Sequence, residues 1–494
     1  MRNLHLPILF FFILNSLSAQ HLDVEGDARI AGKIDINDGN NSLILGENAG
    51  NSSTGDRNVF LGIFAGQLNS TGIMNTFLGY TAGAANMTGQ QNVFIGTAAG
   101  GNNMTGNHNT VAGVGAGNGG STLHNTYYGF EAGTRSTGND NVMIGSRSGA
   151  SATTAQFNTI VGRQAGESNV GGDYLTAIGF QAGQKNTAAA NTFVGAFSGT
   201  NNTTATNNTF FGASSGLNTN TGGGNTFLGI ASGLENTGGS DNIFIGHSSG
   251  RTNLMGLQNV YIGAEAGRNA SSGQGNVYLG WHAGFNNTSG DNNVFLGLSS
   301  GFNTTGSQNV FLGTSAGDGI TSNGNNIAIG FEAGFSGNFT NSTVIGAGAE
   351  CNANNKIRLG NASVNVIEGQ VAFSSSSDRR LKRNIVDCTA GLDFINELRP
   401  VQYQWKEGQG DKIFTGFIAQ EVEVAAEKTG FDFSAIKKPA NETDYYSLRY
   451  AEFVVPLVKA VQELYQRNMV LEKEVMTLTA LLQEKTNGVS TASR

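Results

Sequence analysis

The stretch NVFLGIFAGQLNSTGIM (Asn58–Met74) is followed directly by NTFLGYTAGAANMTGQQ (Asn75–Gln91), and the two segments share one pattern. Each begins with an asparagine, a short apolar run and a glycine, and each contains a second glycine four residues later. The first glycine of the pattern recurs every 16 or 17 residues from Gly46 to Gly346. Self-similarity at a fixed period is the sequence signature of a repeat architecture.

The motif N-[VT]-F-[LI] predicts a short β-strand, because β-branched and aromatic residues lie between turn residues. The third position faces one side of such a strand, and the second and fourth positions face the other. Since neither face is consistently polar, we expect both to be buried. The aromatic column, which includes Phe60 and Phe77, then faces either the interior of the coil or a neighbouring chain. Stacked repeats would also place Asn58, Asn75 and Asn92 above one another as an amide ladder.

Residues 41–370 are therefore predicted to form a parallel β-solenoid or β-roll of repeats about 17 residues long. With one repeat per turn and ~4.8 Å between strands, some eighteen turns would make a rod on the order of 85 Å long. The repeats resemble the head repeats of trimeric autotransporter adhesins. That resemblance implies a trimeric, fibrous surface protein and does not identify a ligand.

Composition excludes several classes of function. The chain has 73 glycines, 4 prolines and a net charge of −8, without the basic face that nucleic-acid binding needs. The few histidines are not clustered, so we predict neither a metal site nor a cofactor. The acidic residues are scattered and form no spaced pair of the kind that glycoside hydrolysis needs. The two cysteines, Cys351 and Cys388, either form a disulfide or are two small buried residues.

The N-terminal sequence MRNLHLPILFFFILNSLSAQ has a cation at Arg2, an apolar core and small residues near Ala19. This pattern predicts a signal peptide over residues 1–19. The segment HLDVEGDARIAGKIDI (His21–Ile36) is typical of short strands, so residues 20–40 are predicted to form the attachment end. No later segment is apolar enough to be transmembrane. We therefore expect an exported protein, located outside the cell or at its surface.

The last part of the chain does not contain the repeat. Residues 376–450 are predicted to form a small α+β domain, residues 451–485 a coiled-coil helix, and residues 486–494 a disordered tail. Apolar residues alternate at spacings of four and three along the helix, which is the heptad pattern of a coiled coil. The alternative is a long amphipathic helix that packs on its own domain. The predicted trimer core consists of Leu457, Val461, Leu464, Asn468, Leu471, Val475, Leu478 and Leu482.

Four motifs occur here in a fixed order: SDRRLKRNI (Ser377–Ile385), LRPVQYQW (Leu398–Trp405), GFIAQEV (Gly416–Val422) and the terminal heptads. Together they resemble the intramolecular chaperone domain of endosialidases and phage tail fibres, a family of self-cleaving serine peptidases. The resemblance covers roughly the last quarter of the chain. It implies a domain that drives trimerisation of a β-rich fibre and then cuts itself off.

The resemblance also implies roles for particular residues. It places the nucleophile at Ser377, the cut between Ser376 and Ser377, and the general base at Lys382. A serine hydroxyl becomes a nucleophile only when a base takes its proton, and a lysine can do this only when it is neutral. Supporting roles in positioning, or in stabilising the oxyanion, are implied for Asp378, Gly416 and Gln420.

Two features of the sequence argue against self-cleavage at Ser377. Phe414 occupies a position, two residues before Gly416, where many members of that family have histidine. A Ser-Asp pair before a basic run is also a good N-cap and first turn of a helix.

The sequence as a whole predicts an exported, homotrimeric, adhesin-like fibre with a C-terminal self-cleaving trimerisation chaperone. The predicted enzyme is a Ser/Lys endopeptidase that acts once, on its own chain. The expected partners are two further copies of the chain and a cell-surface or glycan ligand. The alternatives are a fibre with a trimerisation clamp that does not cleave, and a carbohydrate- or ice-binding solenoid.

Overall fold

The computed structural model describes residues 40–371, 373–406 and 410–491. The predicted signal peptide (1–19) and, except for Asn40, the predicted attachment strands (20–40) lie outside these residues. The described chain forms a rod of stacked strands, a small α+β domain and a long C-terminal helix. The predicted mainly β solenoid fold is confirmed.

The rod is built from very short strands, one for each repeat along most of its length. All except β19 and β21 belong to one sheet of 20 parallel strands, in which each strand pairs with the one from the next turn. The strands of the rod are β1 Leu43–Leu45, β2 Val59–Leu61, β3 Thr76–Leu78, β4 Val93–Ile95, β5 Thr110–Ala112, β6 Thr126–Tyr128, β7 Val142–Ile144, β8 Thr159–Val161, β9 Thr176–Ile178, β10 Thr192–Val194, β11 Thr209–Phe211, β12 Thr226–Leu228, β13 Ile243–Ile245, β14 Val260–Ile262, β15 Val277–Leu279, β16 Val294–Leu296, β17 Val310–Leu312, β18 Ile327–Ile329, β19 Gly334–Phe335, β20 Thr343–Ile345, β21 Glu350–Cys351 and β22 Ile357–Leu359.

The third position of each motif forms the core of the rod. Phe60 pairs in register with Phe77, and both side chains are fully buried. Successive rings stack face to face: the centroids of Phe210 and Phe227 lie 4.7 Å apart, with an angle of 5° between the ring planes. The aromatic column therefore faces the interior of the coil, where repeats of 16 or 17 residues bring each ring onto the next.

The second and fourth positions point out of the rod. The fourth position is apolar or aromatic in every strand of the 20-stranded sheet, from Leu45 to Leu359, yet none of these side chains is buried. Leu78 is 43% exposed and Phe211 is 55% exposed. The expectation that both faces are buried is thus wrong for the single chain, because a coil with one such strand per turn has only one interior face.

The predicted asparagine ladder is confirmed. The Asn75 backbone N–H donates to the Asn58 Oδ1 over 2.9 Å, and the Asn92 N–H donates to the Asn75 Oδ1 over 3.0 Å. A second ladder runs through the turns, where the Asn86 amide donates to the Asn69 Oδ1 over 2.7 Å. The Asn-x-Thr motifs at Asn69 and Asn86 therefore have buried, hydrogen-bonded asparagines, in keeping with turn chemistry.

Steric constraints require glycine at two positions of the motif. Gly62 has a φ of 137°, and a Cβ there would collide with the carbonyl of Gly79 in the next turn. Gly66 has a φ of 58° and lies against the Phe60 ring. Both positions combine a positive φ with a close contact, to the next turn at Gly62 and to the ring of the same repeat at Gly66, and only glycine accommodates this combination.

The domain after the rod contains two helices, two hairpins and one small core. A single 3-10 turn, η1 Arg379–Leu381, precedes it. The core contains Phe394, Val422 and Phe433. Its other elements are α1 Leu392–Glu397, β23 Val401–Tyr403, β24 Phe414–Gly416, α2 Ala419–Lys428, β25 Ile436–Lys437, β26 Ser447–Leu448 and η2 Tyr450–Phe453.

The chain ends in a long helix, α3 Val454–Thr491. Its start is fixed to the domain, because Phe453 and Ala460 are buried and the Glu463 carboxylate accepts a hydrogen bond of 2.8 Å from the Leu392 N–H. The helix continues to Thr491, so the first six residues of the segment predicted to be disordered are helical. Residues 492–494 lie outside the described part of the chain.

The cysteines do not form a disulfide. Cys351 is buried, Cys388 is half-buried, and both are free thiols. In residues 40–371, 373–406 and 410–491, no group of three or more His, Cys, Asp or Glu side chains is arranged to hold a metal ion. No helix of this described part has the length and hydrophobicity needed to cross a membrane.

Candidate functional site

The segment that joins the rod to the C-terminal domain is exposed. Residues 362–371 and 373–387 are all exposed, and no described residue between Leu359 and Arg379 lies in a strand or helix. Ser376 and Ser377, the residues on either side of the predicted cut, lie within this segment. The peptide bond between them is therefore not protected by packing within the single chain.

One turn of 3-10 helix brings Ser377 and Lys382 together. The η1 turn reverses the chain, and the Lys382 backbone N–H closes it by donating to the Arg379 carbonyl over 3.1 Å. The Lys382 amine donates a hydrogen bond of 2.7 Å to the Ser377 hydroxyl. The two residue types that the resemblance assigned as nucleophile and base are thus in direct contact.

Asp378 is the N-cap of the same turn. Its carboxylate accepts a hydrogen bond of 2.7 Å from the Arg380 backbone N–H and forms an ion pair of 2.7 Å with the Arg380 guanidinium. These hydrogen bonds from the Arg380 side chain and backbone hold the pKa of the Asp378 carboxyl below its ordinary value. Asp378 is therefore an anion that holds the turn, and the capping role predicted as an alternative applies to it rather than to Ser377.

Gly416 lies next to Tyr450 in the C-terminal domain. It pairs with Val401 across the β23–β24 hairpin, and a Cβ at this position would collide with the Tyr450 hydroxyl. That hydroxyl accepts a hydrogen bond of 3.1 Å from the Phe417 N–H. Gly416 thus leaves room for Tyr450, a contact that the sequence did not reveal because 34 residues separate the two.

Gln420 lies exposed on the first turn of α2. Within the described residues, neither Gly416 nor Gln420 hydrogen-bonds to Ser377 or Lys382 in the single chain. Phe414 occupies the position at which many members of the chaperone family have histidine. Its ring centroid lies 5.9 Å from that of Tyr403, on which it stacks, and 5.0 Å from the Lys412 amine. The Phe414 ring therefore has a packing role on this hairpin.

The residues predicted to form the trimer core are all exposed on α3. Leu464 is 49% exposed, Leu471 55% and Leu478 59%, and every residue from 464 to 485 is exposed. The helix therefore packs on its own domain only over its first turns. Beyond Glu463, the single chain leaves an apolar seam in water, which is the arrangement expected of a coiled-coil strand without its partners.

A comparison with protein families finds a match in the C-terminal region. Residues 377–431 match the family model described as chaperone of endosialidase. The match begins at Ser377 and includes α1, β23, β24 and α2. No curated protein matches the chain. The predicted resemblance to this chaperone domain is confirmed, and together with the solenoid rod it fits a fibre-like protein that carries a trimerisation chaperone.

Proposed function

We propose that this chain forms an exported homotrimeric fibre whose C-terminal domain aligns three chains and then cuts the bond between Ser376 and Ser377. The observation that carries the proposal is the Ser377–Lys382 hydrogen bond of 2.7 Å at the start of the chaperone-like region. The rod is the adhesive element, and its target is a cell-surface or glycan ligand.

The chemistry is a single peptide-bond hydrolysis. The Ser377 hydroxyl attacks the carbonyl carbon of Ser376 while its proton passes to the Lys382 amine. The C–N bond then breaks, the proton is delivered to the departing Ser377 nitrogen, and an ester joins Ser376 to the Ser377 oxygen. Water hydrolyses this ester, which leaves a carboxylate on Ser376 and restores the hydroxyl. Because one residue supplies both nucleophile and leaving nitrogen, the first step is an N-to-O acyl shift.

Trimer assembly would explain why the chain is cut late. In the single chain Ser377 and Lys382 are exposed, and a lysine can accept the serine proton only in its neutral form. Burial disfavours the charged amine. A pocket completed by neighbouring chains would therefore activate the pair only after the trimer has formed.

Two surfaces support a trimer. The first is the seam of α3, which leaves Leu471, Val475 and Leu478 at least half exposed. The second is the outward face of the rod, where the fourth strand position is apolar or aromatic through the whole sheet and no side chain is buried. A partner that covers this face must match both its length and its repeat, and another copy of the chain does so.

Parallel stacking of near-identical repeats explains why such a fibre needs a chaperone. Shifting one chain by one repeat against another preserves most contacts between the rods, so register is weakly specified. A C-terminal clamp that brings three chains level before the rods associate removes this error. Once the rods have formed, the clamp is no longer required.

The proposal is tested by intact mass and denaturing gels of the wild type beside Ser377→Ala and Lys382→Ala. Ser375→Ala, which changes an exposed serine two residues away, is the matched control. We expect the wild type and the control to appear as two fragments divided before Ser377, and the other two variants to remain whole. Light scattering on the native samples reports the oligomeric state. If all four proteins stay full length but trimeric, the domain is a clamp without peptidase activity.

Ice binding is a second candidate, favoured by one observation. Five consecutive strands have threonine at the outward second position, in a column that only the stacked structure reveals: Thr159, Thr176, Thr192, Thr209 and Thr226. The neighbouring column on this face contains side chains of unequal size, such as Val194 and Phe211, so the face is uneven and more apolar than a threonine array. A thermal-hysteresis measurement on the wild type distinguishes the two functions.

A further inference from the structure

A hairpin of the C-terminal domain reaches the end of the rod. Strands β25 and β26 pair antiparallel, and Ile436 and Leu448 at their base pack against the domain core. The turn at the tip of the hairpin contains Asn441–Asp444. It lies against the loop Asn352–Lys356, which connects β21 to the last strand of the rod, β22.

Backbone and amide groups join the two parts in both directions. The Asn352 side-chain amide of the rod donates to the Thr443 carbonyl over 2.5 Å. The Asn441 side-chain amide of the hairpin donates in return to the Asn352 carbonyl over 2.9 Å. This reciprocal pair fixes the position of the turn, since each partner supplies both a donor and an acceptor.

A buried ion pair lies beside these amides. The Asp444 side chain is fully buried, and its Oδ1 accepts a hydrogen bond of 2.8 Å from the Lys356 amine of the rod. Lys437 of the hairpin lies 3.4 Å from the other carboxylate oxygen. Without Lys356 the buried carboxylate would keep only Lys437, which belongs to the same hairpin, so the attraction between hairpin and rod depends on Lys356.

The turn is shaped for this contact by its own hydrogen bonds. The Asn441 Oδ1 accepts from the backbone N–H groups of Thr443 and Asp444, both over 2.9 Å. The Ala440 N–H donates to the Asp444 carboxylate over 3.1 Å. The hairpin therefore presents a preorganised surface, which lowers the entropy lost on docking.

The covalent connection between the same two parts is exposed and irregular, and it contains the proposed cut. The cut therefore breaks the chain between Lys356 and Asp444 without touching any of these contacts. We infer that Asn352, Lys356, Asn441, Thr443 and Asp444 form a rod-end latch, which docks the C-terminal domain on the rod and keeps it there after the chain is cut. Retention after self-cleavage rests on the proposed function, whereas docking does not.

The latch can be tested without self-cleavage. In Ser377→Ala the chain is expected to stay whole, and the exposed basic run Arg379–Arg383 offers trypsin a site within the connection. After brief digestion, the latch predicts that the two fragments elute together in size-exclusion chromatography. Separation of the fragments at this step would overturn docking, whether or not the wild type cleaves itself.

Variants assign the retention to particular residues. In the Ser377→Ala background, Lys356→Met removes the rod's cation. Asn352→Ala removes a half-buried amide that donates to Thr443 and also accepts a hydrogen bond of 2.7 Å from the Lys356 amine. Each is expected to speed dissociation of the digested complex at least tenfold. Lys428→Met is the control, because Lys428 pairs with Glu397 inside the C-terminal domain and does not contact the rod. Circular dichroism establishes that each variant is folded.

The outcomes separate the two proposals. If Lys356→Met and Asn352→Ala fold but their fragments dissociate as slowly as the control, other contacts hold the domain and the latch is wrong. If the digested protein stays together while the wild type never cleaves itself, docking stands and the self-cleavage proposal fails. If the self-cleaved wild type releases its C-terminal fragment, retention after cleavage is wrong.

Discussion

The Lys382 amine lies 2.7 Å from the Ser377 hydroxyl, across a single 3-10 turn that Asp378 caps. This contact needs no other part of the fold. Under the proposed function, the Ser377–Lys382 pair is therefore already formed in the single chain, and assembly has only to change the surroundings of the lysine.

Lys382→Arg should abolish self-cleavage while leaving assembly unchanged. Arginine keeps the charge but does not release its proton at accessible pH, so it cannot act as the base. Loss of a general base typically costs ~100-fold to 10,000-fold in rate. Intact mass spectrometry over time measures the effect. Arg383→Lys, the neighbouring exposed cation, is the control and should cleave normally; a Lys382→Arg protein that cleaves at the wild-type rate would exclude Lys382 as base.

Hydroxylamine should accelerate cleavage of the wild type. An ester between Ser376 and the Ser377 oxygen is more reactive toward this nucleophile than a peptide bond, and the trapped product has a hydroxamate on Ser376. Mass spectrometry of the N-terminal fragment detects that group. Ser377→Ala cannot form the ester and should stay intact under the same conditions. A wild-type fragment with only a carboxylate, released at an unchanged rate, would argue against the acyl shift.

Tyr278→Phe should stabilise the rod. The Tyr278 hydroxyl is buried in the aromatic column without a hydrogen-bond partner, whereas Phe295, the next ring of the column, has no such group. Removing a buried hydroxyl that has no hydrogen-bond partner should raise the free energy of unfolding by roughly 1 kcal/mol. Tyr127→Phe is the matched control, because the Tyr127 hydroxyl donates to the Ser136 Oγ over 2.8 Å. Thermal melts should show a higher midpoint for Tyr278→Phe and an equal or lower one for Tyr127→Phe.

Leu228→Asp should separate the rods without separating the helices. Leu228 is 44% exposed on the outward face of the sheet, where the proposed trimer would bury it. An unpaired carboxylate at a dry interface is costly. Met255→Asp is the control, because Met255 is 61% exposed in a turn outside that face. Chemical cross-linking should lose bonds between rods in Leu228→Asp alone, while light scattering still reports trimers. Unchanged cross-links would place the interface elsewhere.

The rod-end latch should withstand mild acid. Burial raises the pKa of the Asp444 carboxyl, but hydrogen bonds from Lys356 and from the Ala440 and Tyr445 N–H groups lower it by more, so the net shift is downward. A depressed carboxyl pKa stabilises docking above the ordinary aspartate value of ~3.9, and this stabilisation is lost as pH falls below that value toward the pKa of the docked form.

The digested Ser377→Ala complex should therefore elute as one species from pH 7 to pH 5 and separate only below about pH 4. Asp444→Asn has no carboxyl to protonate and should dissociate faster at every pH, without the acid step. Separation between pH 7 and pH 5 would assign the contact to a different titrating group.

Sequence periodicity alone determined most of the rod. Strands, glycines and the ladder that begins at Asn58 and Asn75 all follow from a repeat of 16 or 17 residues, because each position meets its own copy in the next turn. The heptads of α3 and the Asp378 cap also depend only on residues that lie close together in the sequence. Ser377 and Lys382 were named by resemblance, and their short separation allowed one turn to bring them together.

Only the tertiary structure decided which strand face is interior, since the apolar residues at Phe60 and Leu61 do not differ enough in sequence to be assigned to the inside and the outside. It also decided the contacts between distant residues: Tyr450 over Gly416, and Lys356 against Asp444. The turn Asn441–Asp444 has the composition of an Asx turn, but nothing in it points to a lysine 88 residues earlier. Periodic patterns encode neighbours one repeat or one helical turn away, whereas contacts between separate parts of a fold depend on how those parts dock.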